Sequence, residues 1–90
     1  MNWELRFSKK ADKQLSKLDP RQSRIIVAWL LKNIYGCKDP RVHGKALSAD
    51  QKGMWRYRIG NYRVLVEISD KELVVLAIQV GHRKDIYEIR

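Results

Sequence analysis

Ninety residues, 44% of them hydrophobic, allow one small domain with a modest core and little stability to spare. Nineteen Lys and Arg against ten Asp and Glu leave a formal charge of +9, which suits a nucleic acid or an acidic protein that covers the same surface. One cysteine, Cys37, excludes an internal disulfide, and no apolar run reaches the length of about eighteen residues that a spanning helix needs.

Met1-Asn2-Trp3-Glu4 lacks the basic-then-apolar layout of a signal peptide, so a cytoplasmic location without membrane contact is expected. Trp3, Leu5 and Phe7 then alternate with Glu4 and Arg6, the period of a half-buried strand. Ser8 can cap a helix whose apolar stripe is Ala11, Leu15 and Leu18. Asp19-Pro20 reads as a stop and a new start, with Asp19 as cap and Pro20 in the first helical position. The second helix carries Ile25, Ile26, Trp29 and Leu30 and should end at Gly36, packed against the first as a helical hairpin.

Residues 37–53 read as a long basic loop, broken by Asp39-Pro40, Gly44 and Gly53. A loop of this length in so small a domain points to function. Its Lys38, Arg41, His43, Lys45 and Lys52 are therefore candidates for binding a polyanion such as RNA. Three strands follow, 54–59, 62–68 and 73–80, the first two joined by the Gly-first turn Gly60-Asn61. The last is nearly all apolar, as a central strand buried on both faces would be. A short tail or helix ends the chain. The order β-α-α-β-β-β predicts an α+β fold, with a mainly antiparallel twisted sheet and the helical hairpin on one face. With no repeat or linker, residues 1–90 are expected to form one domain.

Chemistry concentrates on the hairpin. Strand alternation puts Trp55, Tyr57 and Ile59 on one side and Arg56 and Arg58 on the other. A two-residue turn sets Arg58 opposite Arg63, with Arg56 diagonal to Arg63 on the same face. Like charges directly opposite destabilise a sheet, so this cluster needs a reason, and an anionic ligand is the simplest one. Pairing Ile68 with Leu73 would place Ile78 opposite Arg63 and bring His82 and Arg83 out beside Arg58 and Arg63. Tyr87 would follow if the tail folds back, where an aromatic ring can stack on a base.

Such a set suits RNA cleavage, which needs a base for the 2′-hydroxyl, positive charge for the phosphate and an acid for the 5′-oxygen. Arginine fits the middle task, because it stays charged and pairs bidentately with phosphate. It is a poor base, which leaves His82 as the leading candidate for proton transfer and Tyr87 as a weaker one. No carboxylates stand near a histidine at metal-ligand spacing, no Gly-rich phosphate loop follows a strand, and Cys37 lies outside a CxxC motif. No metal or cofactor is expected.

Three stretches carry a resemblance. They are Asp39-Pro40-Arg41-Val42-His43-Gly44-Lys45-Ala46-Leu47, the hairpin Trp55-Arg56-Tyr57-Arg58-Ile59-Gly60-Asn61-Tyr62-Arg63-Val64-Leu65, and Val80-Gly81-His82-Arg83-Lys84-Asp85-Ile86-Tyr87. Together they resemble the RelE/ParE toxin superfamily over almost the whole chain, and the RelE branch of bacterial type II toxin–antitoxin pairs most. The resemblance implies a toxin that enters the ribosomal A site and cuts the exposed mRNA codon, leaving 2′,3′-cyclic phosphate and 5′-hydroxyl ends. It also implies a RelB-like antitoxin that neutralises the toxin. The complex would repress its own operon, with operator DNA contacted through the antitoxin.

By position, Arg56 and Arg58 stand where studied relatives carry lysines, and Arg63 matches the arginine of the family's Tyr-Arg pair. Arg83 matches the arginine that aids the leaving group. Tyr87 takes the place of the C-terminal tyrosine at a shorter spacing. Two other readings stay open: a non-nuclease toxin acting on DNA gyrase, as the ParE branch does, and a basic domain that serves only as a co-repressor.

Overall fold

In a computed structural model that describes residues 2–47 and 53–82, the alternation at the start of the chain becomes strand β1 (Glu4–Phe7), with Leu5 and Phe7 half-buried. Ser8 then caps helix α1 (Lys9–Lys17), its Oγ accepting from the Ala11 amide at 3.0 Å. That contact satisfies an amide the helix cannot pair itself. The same hydroxyl donates to the Ile78 carbonyl at 3.0 Å, so the cap also pins the helix to the sheet. Asp19 accepts from the Arg21 amide at 3.0 Å and Pro20 opens helix α2 (Pro20–Asn33), where its missing N–H costs nothing. The Ser23 hydroxyl donates to the Leu15 carbonyl and ties the two helices together.

The buried stripe runs through Ile26, Leu30 and Ile34, while Ile25, expected in that stripe, is 50% exposed. The helix stops at Asn33, short of Gly36. Gly36 closes the turn that follows: it takes φ +72° and donates its N–H to the Trp3 carbonyl at 2.8 Å.

Strands β3 (Met54–Ile59), β4 (Tyr62–Ser69) and β5 (Val74–His82) form antiparallel neighbours, and β1 joins β5 in parallel. Part of the expected loop is ordered differently. Pro40–His43 form a 3-10 turn and Gly44–Ala46 form strand β2, which pairs antiparallel with β3. The sheet is therefore five-stranded, in the order β1-β5-β4-β3-β2. This is the expected α+β arrangement with one edge strand added.

Two contacts explain the added strand. The Tyr57 hydroxyl donates to the Pro40 carbonyl at 2.8 Å. Gly44 lies against the same ring so closely that a Cβ there would meet Tyr57 Cε1 at 2.8 Å. A bare backbone is needed for that approach.

The hairpin follows the sequence reading: Gly60 has φ +60°, and the register pairs Ile59 with Tyr62, Arg58 with Arg63 and Arg56 with Leu65. The register of β5 does not. Ile68 pairs with Val75, not Leu73, and Arg63 lies opposite Gly81, not Ile78. The turn includes Leu73 at φ +55°, and a shift between Leu65 and Val66 leaves Ile78 as an extra residue. A bulge of this kind reverses the alternation. It lets Val75 and Ala77 before it and Val80 after it all reach the buried face. Nor is β5 buried on both faces as expected: Leu76 and Ile78 remain half-exposed, on the side away from α1 and α2.

Candidate functional site

The covered face holds Tyr57, Ile59, Val64, Val66, Val75 and Ala77 against Ala11, Leu15, Ile26 and Leu30. Cross-strand partners share a face, so the opposite face can be read row by row. Arg58, Arg63 and Gly81 form the row nearest the Gly60-Asn61 turn, and Lys45, Arg56, Leu65 and Gln79 form the next. Lys45 belongs there on two grounds. It pairs with Arg56, and its neighbour Gly44 points at the Tyr57 ring on the covered face.

Four cations thus adjoin one another on the side of the sheet away from the helices, as expected for the three hairpin arginines. The environment is cationic and partly desolvated. The Arg56 guanidinium has its pKa lowered, first by burial and then by Arg63 and Arg58. Arg63 Nε is buried with no hydrogen-bond partner among the described residues. Leu65, 1% exposed, forms an apolar floor between them. Among the described residues, Glu67 shares this face, opposite Met54 and diagonal to Arg56. Glu67 follows on this face by simple alternation from Arg63 and Leu65. Guanidinium groups around a low-polarity floor can hold a phosphodiester and stabilise the extra charge it gains during attack.

Other candidates lie elsewhere. His82 pairs with Tyr62, its ring edge-on at 5.5 Å, and therefore sits on the helix side of the sheet. It lines a cleft with Gln14, Lys17 and Leu18. The expected emergence of His82 beside Arg58 and Arg63 is corrected by the β5 register, which gives the position opposite Arg63 to Gly81. Arg41 is held at the far end of the sheet, paired with Asp70 at 2.6 Å and lying 5.8 Å from the Trp55 ring centre and 6.0 Å from that of Trp3. His43 is exposed and meets Trp29 edge-on at 5.8 Å, and Trp29 in turn packs on Tyr57 at 5.4 Å. Lys38 is exposed ahead of the 3-10 turn.

Of the basic-loop candidates in the described residues, then, Lys45 alone reaches the arginine face. Lys52, Arg83 and Tyr87 lie outside the described residues. Trp29 and Trp55 pack against the core, as large aromatics with area to bury do. Among the described residues, no group of three or more His, Cys, Asp or Glu side chains could hold a metal ion.

Comparison with known proteins places this arrangement. A model of the ParE toxin of type II toxin–antitoxin systems matches residues 5–87. Toxin RelG of Mycobacterium tuberculosis is 33% identical over 87 residues, covering 97% of this chain and 98% of that protein. A chain from the crystal structure of the toxin–antitoxin complex RelBE2 of Mycobacterium tuberculosis superposes with a TM-score of 0.81 at 30% identity, covering 94% of this chain and 95% of that one. A mutant of the E. coli toxin RelE in the free state shares the fold, with a TM-score of 0.72 at 19% identity over 93% of this chain and 86% of its own. The chain that carries this arginine face is therefore a toxin of the type II toxin–antitoxin ParE family, within the RelE/ParE superfamily.

Proposed function

We propose that this toxin is a ribosome-dependent endoribonuclease that cleaves mRNA in the ribosomal A site without a metal ion. The observation that carries the reading is the clustering of cations on one face, with Arg58 directly opposite Arg63 and Arg56 on the diagonal. Such a concentration of like charge weakens the fold and is useful only against an anion. The 2′-hydroxyl attacks its own phosphorus, and the guanidinium groups take up the charge that builds on the equatorial oxygens, giving a 2′,3′-cyclic phosphate and a 5′-hydroxyl end. Arg83, assigned by resemblance, assists the leaving oxygen, and Tyr87 stacks on a base. The ribosome holds the codon in an attack geometry, which supplies orientation the small protein cannot.

A RelB-like antitoxin neutralises the toxin, in line with the RelBE complexes among the similar structures. The pair represses its own operon through DNA contacts made by the antitoxin. The chain acts as one domain spanning residues 1–90. Lys38 and Lys52 contact the ribosome. Arg41 and His43, held against the tryptophans, are secondary contacts at most. His82, on the helix side, contributes to binding and not to proton transfer at the arginine face.

The test is primer extension on mRNA in a translation extract, with and without ribosomes. New ends inside codons only when ribosomes are present support the reading, and intact mRNA at doses that block growth overturns it. A second reading, inhibition of DNA gyrase, is favoured by the ParE character of the matching family model. Gyrase-dependent double-strand breaks with intact mRNA would establish that reading instead.

A further inference from the structure

The arginine face contains a feature the hairpin alone does not supply. A guanidinium gives up its proton far less readily than an ammonium, so the hairpin arginines are suited to stabilising charge and not to delivering a proton. Lys45 stands directly opposite Arg56 on the same face, with Arg58 on the diagonal. Its position is built in. Tyr57 is fully buried, its hydroxyl holds the Pro40 carbonyl at 2.8 Å, and its ring is where Gly44 rests. Those contacts fix the parity of β2: with Gly44 toward the helices, Lys45 has to project among the arginines.

We propose that Lys45 is a catalytic residue, the general acid that protonates the leaving 5′-oxygen. This rests on the ribonuclease reading above. A lysine ammonium is protonated at neutral pH and, unlike a guanidinium, can release its proton to a developing alkoxide. As the bond between the 2′-oxygen and phosphorus forms, the 2′-hydroxyl proton passes to water. As the bond between phosphorus and the 5′-oxygen breaks, that oxygen takes a proton from Lys45 Nζ. The products are the cyclic phosphate, a 5′-hydroxyl and a neutral amine, which regains its proton from solvent. No electrons are exchanged and no other reactant is consumed.

Single-turnover cleavage on ribosomes programmed with a synthetic mRNA tests the assignment, using Lys45→Arg and Lys45→Ala toxins. Both variants should lose roughly 100-fold or more in rate. An mRNA with sulfur in place of the scissile 5′-oxygen has a leaving group that needs no proton. On that substrate both variants should return to within about tenfold of wild type.

If Lys45→Arg cuts the oxygen substrate within about threefold of wild type, Lys45 supplies charge only and the assignment is overturned. Failure of the sulfur substrate to restore either variant overturns it too. Lys45 is exposed, and thermal melts of both variants separate folding from chemistry. If the wild-type toxin itself leaves ribosome-bound mRNA intact, the ribonuclease reading falls. If wild type cuts and Lys45→Arg cuts equally well, only the role of Lys45 falls.

Discussion

The two faces of the sheet are built from the same strands by residues one position apart, and they follow opposite rules. On the covered face Tyr57, Val64, Val66, Val75 and Ala77 are buried against α1 and α2, and each side chain there is chosen for fit. On the other face Lys45, Arg56, Arg58 and Arg63 are placed side by side, in a pattern that packing alone would disfavour. The helix-side face stabilises the molecule, and the arginine face uses part of that stability to hold like charges together. Local rules broken against an evident stability interest are what a functional surface looks like. The comparison predicts that changes on one face alter stability with little effect on chemistry, and that changes on the other do the reverse.

The largest effect is expected in the core. Leu30→Ala, at a fully buried position, should cost about 2–5 kcal/mol by lost burial plus a cavity. Urea unfolding measures that loss, while cleavage per folded molecule should hold steady. A marked fall in activity of the folded fraction would show that the faces are coupled.

Arg63→Ala comes next and inverts the pattern. It should reduce cleavage by about 10²–10³-fold while leaving the midpoint of unfolding and antitoxin binding near wild type. Arg83→Ala should behave alike. Wild-type cutting by either variant would mean that the phosphate is held elsewhere.

Tyr57→Phe probes the link between faces, because its hydroxyl anchors the segment that carries Lys45. Leaving the Pro40 carbonyl unpaired should cost about 1–3 kcal/mol at neutral pH. Burial raises the Tyr57 pKa well above its ordinary value of 10.0. Above about pH 10 the unfolded chain sheds this proton and the folded one keeps it, so stability falls as pH rises. Below that pH the contribution is complete. Unfolding followed from pH 8 to pH 11 should therefore show a shallower alkaline decline in Tyr57→Phe, and parallel curves would contradict the burial of the hydroxyl.

The smallest effect carries the sharpest sign. Arg58→Gln removes one of two directly opposed arginines and should stabilise the fold by about 0.2–1 kcal/mol. Added salt should narrow the gap, since screening already relieves the repulsion in the parent. The same variant should cut mRNA more slowly. A destabilised Arg58→Gln would mean that the arginines support the sheet and are not held against it.

Local chemistry made much of this readable in advance. Ser8 and Asp19-Pro20 marked both helix starts, because capping and the proline ring act within a few residues. Gly60-Asn61 fixed the hairpin and with it the facing of Arg56, Arg58 and Arg63, because a two-residue turn leaves the register no freedom. Strand β2 was not readable. Gly44-Lys45-Ala46 has no apolar alternation, and its pairing depends on Tyr57, thirteen residues beyond Gly44 in sequence. The register of β5 also lay beyond local rules: its long apolar run fits several pairings equally well, and at the bulge the Ile78 carbonyl accepts from Ser8 Oγ while the Val80 amide donates to Gln14 Oε1, partners 70 and 66 residues away in sequence.

The sequence by itself thus determined the two helices with their caps, the strands other than β2, and the three hairpin arginines, all products of interactions between near neighbours. Tertiary structure alone decided the company those arginines keep. It placed Lys45 beside Arg56 through the contact of Gly44 with Tyr57, and it turned His82 to the helix side against Tyr62. Which face a side chain occupies changes with a single step of register, and that step was settled by burial of side chains far apart along the chain.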